Sequence, residues 1–255
     1  MTRDASAFND VAALYDEVRP GYPPETIDAI VARAELAPGA RILEIGCGTG
    51  QITLPLAARG YAVTALEPGD ALATLAARRC QAYPCVEIVR TSFEAWPMPA
   101  AAFDLLVAAQ SFHWIEPRSS CARAAAALRP AGTIALVWHL DVSQSTPFWQ
   151  ATLPIYDAHL PAATDAPPLS DKVRRYDSAL RESGQWQDVR EARRAWERVY
   201  SGGEYLKLLS TFSDHRALPE PERASFFHAI AAVVDAFGGE VRRWYETVLI
   251  TARKR

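Results

Sequence analysis

Short apolar runs alternate with helix-like segments between residues 41 and 138, and this alternation is the feature that most constrains the fold. Residues 41–45, 61–66, 86–89, 103–108 and 133–138 read as strands, and residues 51–59, 70–80 and 118–128 read as helices. The first three strands show little polar alternation, as expected when both faces of a strand are buried. The pattern predicts right-handed βαβ units and a parallel sheet with helices on both faces.

The segments on either side of this alternation are predicted as follows. Pro23 and Pro24 preset a helix start, and the apolar positions of residues 27–34 continue that helix until Pro38 and Gly39 end it. Beyond residue 140 the pattern predicts helices near 147–159, 171–183, 203–211 and 220–237, then a closing strand at 241–252. Residues 187–199 fit a helix about as well as a strand.

Composition limits the classes of protein to consider. The 255 residues suit one large domain, and 27 basic against 30 acidic residues leave no dominant positive field for a nucleic-acid partner. The four cysteines form no CxxC pair, so we expect free thiols in a reducing cytoplasm and no metal site. Residues 1–6 lack the apolar core of a signal peptide, and no apolar run approaches a membrane span.

A glycine-rich loop follows the first predicted strand, at the sheet edge where open α/β sheets bind ligands. Its glycines are Gly46, Gly48 and Gly50. A dinucleotide fingerprint would need glycine where Gln51 stands, and a P-loop would need a lysine after Gly50. Glu44 precedes the loop, and a carboxylate there suits a ligand with a positive centre.

A second acid, Glu67, ends the second predicted strand about twenty residues after Gly46. A carboxylate at this place can accept hydrogen bonds from both hydroxyls of a ribose. The loop and the acid together predict an adenosine site that makes no demand for phosphate. The alternative is that the glycines only form a tight turn between strand and helix.

These residues resemble the class I S-adenosylmethionine-dependent methyltransferases. The family's acid-x-Gly-x-Gly-x-Gly signature matches 44–50, and its Leu-x-Pro-Gly-Gly turn matches 128–132 with Ala131 in place of the first glycine. One branch, which includes fungal enzymes similar to trans-aconitate methyltransferase, opens with Tyr-Asp-x-x-Arg-Pro-x-Tyr-Pro, as residues 15–23 do. That branch also has the Gln-x-Phe-His-Trp and Tyr-Leu-x-Leu-Leu-x-Thr-x-Ser segments found at 110–114 and 205–213.

The resemblance implies an α/β fold: a doubly wound, Rossmann-like sheet of seven strands, mostly parallel with one antiparallel strand and helices on both faces. It makes 187–199 the sixth strand and places 241–252 antiparallel beside the fifth. A single domain over 1–255 would then comprise an N-terminal lid and helix (1–37), a cofactor-binding core (38–140), a helical insertion capping the acceptor (141–185), and C-terminal strands with intervening helices (186–255).

The resemblance also implies S-adenosyl-L-methionine as cofactor. Its ribose would lie on Glu67, its adenine beside Ser92–Glu94, and Arg19 would hold either its methionine carboxylate or an acidic acceptor. A surface ion pair is the alternative for Arg19. The implied cofactor-binding residues are Tyr15, Arg19, Tyr22, Glu44, Gly46, Cys47, Gly48, Thr49, Gly50, Gln51, Glu67, Pro68, Ser92, Phe93, Glu94, Gln110 and Ser111.

The implied transfer site follows the fourth strand, where His113 is the candidate base and Trp114 a candidate wall of the acceptor pocket. A histidine that only lines the pocket or bonds to backbone, and a tryptophan that only packs, are the alternatives. A carboxylate acceptor needs no strong base, whereas a neutral hydroxyl does. We expect O-methylation of a small-molecule carboxylate or hydroxyl by a monomer or homodimer, without membrane or nucleic-acid partners.

Two rival functions remain open from the residues. One is an oxidoreductase that uses a nicotinamide dinucleotide. Gln51 argues against it, because the dinucleotide fingerprint has glycine at that position. The other is a protein that binds S-adenosylmethionine without turning it over.

Overall fold

A computed structural model describes residues 12–160 and 168–255. Parts of the predicted lid (1–37) and of the predicted insertion (141–185) therefore lie outside the described residues. Residues 1–6, for which a signal peptide was not expected, lie outside them as well.

Strands and helices alternate along the described chain much as the hydrophobic pattern predicts. The strands are β1 (Arg41–Ile45), β2 (Ala62–Leu66), β3 (Val86–Val89), β4 (Phe103–Ala109), β5 (Leu128–Asp141), β6 (Trp186–Ser201) and β7 (Glu240–Lys254). The helices are α1 (Ala12–Val18), α2 (Pro24–Ala34), α3 (Thr53–Ala57), α4 (Asp70–Arg79), α5 (Pro117–Ala127), α6 (Pro147–His159), α7 (Leu169–Glu182), α8 (Gly202–Ser210), α9 (Ser213–Arg216) and α10 (Glu220–Ala236). A short 3₁₀ turn spans Phe112–Trp114.

The strands form one seven-stranded sheet in the order β3-β2-β1-β4-β5-β7-β6. β7 runs antiparallel to both of its neighbours, and the other pairings are parallel. This confirms the predicted Rossmann-like fold. The strand order reverses between β1 and β4, so their carboxyl ends diverge and leave the crevice in which such sheets bind ligands.

Three apolar clusters hold the layers together. Two of them pack against the sheet and include the buried strands β1 and β4. The third joins α6, α8 and α10 to the start of β7 through Tyr156, Tyr205, Phe226 and Tyr245. This third cluster places the C-terminal helices beside the carboxyl edge of the sheet. None of the helices in the described ranges combines the length and the apolar character that crossing a bilayer requires.

The ambiguous segment 187–199 lies within β6, as the resemblance implies. β6 is one of the two edge strands of the sheet and pairs with β7 alone. Most of its side chains are exposed and many are charged, so neither face carries the apolar stripe that would have identified a strand from sequence. Backbone pairing with β7 decides its conformation.

The predicted turn at 129–132 is instead part of β5, at a break in the strand register. Phe103 pairs with Leu128, but Leu105 pairs with Thr133, so residues 129–132 bulge out of the ladder. Ala131 has a φ of 61°, the left-handed conformation that favours glycine. A Cβ atom on Gly132 would lie 3.0 Å from the carbonyl oxygen of Arg129 and 3.2 Å from that of Phe103.

We expect the Gly132→Ala substitution to destabilise the protein by about 1–3 kcal/mol, because the added methyl group would press on two backbone carbonyls. Gly203→Ala is the matched control. It adds the same group to open space within α8, where alanine stabilises a helix by up to about 1 kcal/mol relative to glycine. Urea unfolding of both variants measures the difference, and equal effects would contradict the crowding at Gly132.

Candidate functional site

A cavity of about 680 Å³ lies over the carboxyl ends of β1, β4 and β5 and beside the start of the antiparallel strand β7. The chain after α1 covers it, and α6, α7 and α8 contribute its remaining walls. Some of the predicted cofactor-binding residues line this cavity. They are Tyr15, Arg19, Tyr22, Glu44, Gly46, Cys47, Gly48, Gln51 and Gln110.

The glycine loop is fixed to the ends of two neighbouring strands. The backbone N–H groups of Gly46 and Cys47 both donate to the carbonyl oxygen of Leu66, at 2.8 and 3.0 Å. The hydroxyl of Ser111 donates to the carbonyl oxygen of Ile45. Gly46 has a φ of 66°, and a Cβ atom there would lie 2.6 Å from that of Ser111. Only glycine therefore permits this turn, which holds the loop backbone against the cavity.

Glu67 braces this loop from the end of β2. Its two carboxylate oxygens accept hydrogen bonds from the N–H groups of Gly48 at 2.9 Å and Gly69 at 2.8 Å. Its side chain is buried, and this burial raises its pKa despite the two hydrogen bonds. Glu67 does not itself line the cavity, but its partner Gly48 does. The acid is thus one backbone group away from the cavity, with lone pairs left to accept further hydrogen bonds.

Glu44 lies at the end of β1 and lines the cavity, although only 2% of its surface is exposed. Its carboxyl accepts a hydrogen bond from the Thr53 hydroxyl at 2.6 Å. Burial raises the pKa of Glu44 to about 8, and the nearby Glu67 adds to the shift while Thr53 opposes it. Glu44 is therefore largely protonated at neutral pH, and a cationic ligand group would favour its ionised form.

Helix α1 and the chain that follows it are held at the cavity by polar contacts. Arg19 donates to the hydroxyl and the carbonyl oxygen of Thr211, at 2.9 and 3.1 Å. Asp16 accepts a hydrogen bond from the Thr49 hydroxyl at 2.6 Å and forms an ion pair with Arg79. Because Thr49 belongs to the glycine loop, the covering segment and the loop are held as one unit.

His139 fastens the same segment to β5. One ring nitrogen, Nε2, lies 3.2 Å from the carbonyl oxygen of Gly21, which can only accept, so Nε2 carries the proton. The Thr247 hydroxyl accepts from the Trp196 indole at 2.8 Å and lies 2.8 Å from His139 Nδ1, to which it donates. Burial lowers the pKa of His139 to about 4. Both nitrogens are thus engaged in a neutral ring that stacks on Tyr22.

The two predicted catalytic residues lie outside the cavity lining. His113 is half-buried, and its Nδ1 atom accepts a hydrogen bond from the Trp138 indole at 3.3 Å. Burial, with a smaller contribution from Lys172, lowers the pKa of His113 to about 4. Trp114 is 45% exposed and packs beside His113, with the Lys172 ammonium over its ring. This geometry favours the packing alternatives for both residues.

Several predicted cofactor contacts have other partners in the structure. Phe93 is buried in a core cluster beneath the Arg123 guanidinium, while the Ser92 hydroxyl accepts from the Ala95 N–H and Glu94 is exposed. Outside the cavity lining lie Thr49, Gly50, Glu67, Pro68, Ser92, Phe93, Glu94 and Ser111. Thr49 and Ser111 position the loop, as described above, and the assignment of Ser92–Glu94 to an adenine stays a prediction.

The cavity also contains residues that the sequence reasoning did not assign. Arg243 and Tyr245 enter from β7, Asp141 from the end of β5 and Trp149 from α6. Arg243 is buried and forms an ion pair with Asp141. The signal for Arg243 was present in the sequence: it occupies an inward position of the predicted closing strand, two residues before Tyr245, where an apolar residue is the norm.

We expect Glu44→Gln to become progressively more stable than the parent protein as pH rises from 4.5 to about 8. The raised pKa means that the folded parent keeps a proton that its unfolded chain releases, so its stability falls through this range. The difference should approach about 1.4 kcal/mol per pH unit. Urea unfolding at a series of pH values measures it, and a difference that does not change with pH would contradict a buried, protonated Glu44.

Residues 43–136 match a family model that is described as a methyltransferase domain. An uncharacterized methyltransferase of Mycobacterium tuberculosis is 34% identical over 139 residues, which cover 54% of this chain and 54% of that relative. An uncharacterized methyltransferase of Schizosaccharomyces pombe is 25% identical over 134 residues. The chain thus spans about half the length of the curated relatives it matches.

Structural comparisons extend over nearly the whole chain. A type II methyltransferase candidate from Anaeromyxobacter dehalogenans matches with a TM-score of 0.63 and 23% identity, over 92% of this chain and 97% of that one. Phosphoethanolamine N-methyltransferase 2 of Haemonchus contortus, solved with S-adenosylhomocysteine, matches with a TM-score of 0.56 and 12% identity, over 96% and 57%. Residues 43–136 therefore match the methyltransferase domain family, and the chain has the Rossmann-like fold of solved methyltransferases.

Proposed function

We propose that this protein is an S-adenosylmethionine-dependent methyltransferase that O-methylates a small molecule bearing an ionised carboxylate. The observation that carries the proposal is the cavity itself. It lies over a glycine loop with a buried acid at the end of β1, and a second acid braces the loop from the end of β2.

The residues around the loop suit this cofactor. Gly46 and Gly48 present backbone to the cavity. Glu44 would face the positively charged part of the cofactor, and that charge would favour the ionised form of the Glu44 carboxyl. Glu67 would accept hydrogen bonds from the ribose. When bound, the cofactor supplies an electrophilic methyl group on a sulfonium. The Haemonchus enzyme, which shares the fold, contains the demethylated form of the cofactor in its structure.

The protonation of the nearby side chains supports a carboxylate over a neutral hydroxyl as acceptor. Both ring nitrogens of His139 are engaged, and the Nδ1 atom of His113 is engaged by Trp138. Asp141 is paired with Arg243, and Glu44 already carries its proton at neutral pH. The histidine and the acids of the described lining are therefore all engaged or protonated. A neutral hydroxyl would need a free general base, and a carboxylate would not.

The segment that lies over part of the cavity supports a small acceptor. The segment after α1 covers the cavity and is tied to β5 through Gly21 and His139. A polymer would have to displace this cover to reach the loop. The expectations of a cytoplasmic location and of a monomer or homodimer stay predictions.

We expect Glu67→Ala to lower the affinity for S-adenosylhomocysteine by about tenfold or more, since both the ribose contact and the brace on Gly48 are lost. Glu87→Ala, at an exposed acid on β3, is the matched control and should bind as the parent does. Titration calorimetry on the folded variants measures both. Unchanged affinity in Glu67→Ala would reject the ribose assignment, and binding of NADH in place of S-adenosylhomocysteine would favour an oxidoreductase.

A further inference from the structure

Two guanidinium groups meet at one end of the cavity. Arg19 lies with its guanidinium carbon 4.4 Å from the ring centre of Phe212, and that of Arg243 lies 5.8 Å from the same centre. Both arginines line the cavity, as does Phe212. Two guanidinium groups thus lie near one aromatic ring, one from the segment after α1 and the other from β7. We call Arg19, Arg243 and Phe212 the cationic end.

The charges that the described residues bring to the cationic end do not balance. Arg243 has a counter-ion in Asp141, but among the described residues no carboxylate lies within ion-pair distance of Arg19. The remaining acid of the described lining, Glu44, is largely protonated at neutral pH. Burial lowers the pKa of Arg19, which reflects the cost of keeping this cation out of water. An anionic ligand would offset that cost.

Not all N–H groups of Arg19 are engaged by the part of the chain that the structure describes. Thr211 accepts from its Nε atom and from one of its Nη atoms. A guanidinium has five N–H groups in a planar fork, so three of them have no acceptor among the described residues. A carboxylate is the anion whose two oxygens match such a fork.

The cavity lining also includes several apolar side chains. Leu140 belongs to β5, Val142 follows that strand, and Trp149, Leu169 and Leu208 belong to α6, α7 and α8. A ligand with a carboxylate at one end and an apolar body would therefore meet complementary surfaces at both ends. A compact acid with polar groups on every side would leave several of them without partners.

We propose that the cationic end binds the reacting carboxylate of the methyl acceptor, and that this acceptor is a monocarboxylic acid with an apolar body. This inference rests on the proposed function and names its substrate class. Arg243 is then a specificity-determining residue. Asp141 partly neutralises the charge of Arg243 and so weakens its attraction for the acceptor's carboxylate.

Methyl transfer would also remove the negative charge by which the acceptor is bound, which predicts release of the product. A lone pair on a carboxylate oxygen forms a bond to the methyl carbon, the bond from that carbon to sulfur breaks, and its electron pair stays on sulfur. No proton moves, and an anion and a sulfonium become a neutral ester and a neutral thioether. Because the ester has no charge to pair with Arg19, it should bind much more weakly than the acid.

The first experiment compares how acids and their esters bind to the 255-residue chain. Titration calorimetry in the presence of S-adenosylhomocysteine would use the straight-chain acids from butyrate to dodecanoate, cinnamate, citrate, and the methyl esters of the monocarboxylates. We expect the longer acids or cinnamate to bind at least about tenfold more tightly than their esters and than citrate. Tightest binding by citrate, equal binding of acid and ester, or no binding by any of these acids would overturn the proposal.

The second experiment separates recognition from a structural ion pair by changing each partner of the Arg243–Asp141 pair. Arg243→Gln should weaken binding of the preferred acid by about tenfold or more. Asp141→Asn should tighten it, because it removes the competing charge while its side-chain oxygen can still accept from the Ser143 N–H. A purely structural pair would make both variants bind more weakly, so weaker binding by both would overturn the proposal.

Affinity for S-adenosylhomocysteine distinguishes this inference from the proposed function. We expect Arg243→Gln to bind S-adenosylhomocysteine as the parent does, since the acceptor rather than the cofactor meets Arg243. A loss of that affinity would mean that the cationic end holds the cofactor's carboxylate, and the inference would be wrong with the proposed function intact. Failure of the parent protein to bind S-adenosylhomocysteine would reject the proposed function itself.

Discussion

The turn of the backbone at Gly46 is the constraint on which the rest of the site depends. Leu66 accepts from the N–H groups of Gly46 and Cys47, so the chain must bend sharply as soon as β1 ends. Ser111 closes against the same turn from β4 and leaves no room for a Cβ atom. The ends of three neighbouring strands are thereby drawn to one backbone loop. The crevice above it follows from the reversal of strand order between β1 and β4.

Burial sets the protonation of the groups around this crevice. Glu44 keeps its proton at neutral pH, whereas His113 and His139 are neutral. Each histidine accepts a hydrogen bond at Nδ1, and His139 also donates to backbone through Nε2. Both rings are thus engaged with neighbouring segments of the chain, which supports the proposal of an acceptor that arrives ionised.

The C-terminal half of the chain completes the site through one topological feature. Because β7 runs antiparallel beside β5, its first residues lie at the edge where β5 ends. Arg243 and Tyr245 thus enter the cavity beside Asp141, which pairs with Tyr245 in the sheet register. The helices that follow β6 pack on this start of β7 and bring Phe212 against both guanidiniums.

Local sequence determined the glycine loop and most of the strands and helices, because each depends on periodicity or on a backbone that only glycine can adopt. β6 is the exception, since its conformation comes from pairing with β7. The alternation of residues 41–138 predicted the sheet, and Glu44, Gly46 and Gly48 do lie at the cavity. Tertiary structure alone decided which side chains face that cavity. Arg243 reaches it through its ion pair with Asp141, which lies 102 residues earlier in the sequence, whereas His113 lies outside the lining beside Trp138. The sequence marked Arg243 as a charged residue at an inward position, but what it faces depends on contacts between segments that are distant in the chain.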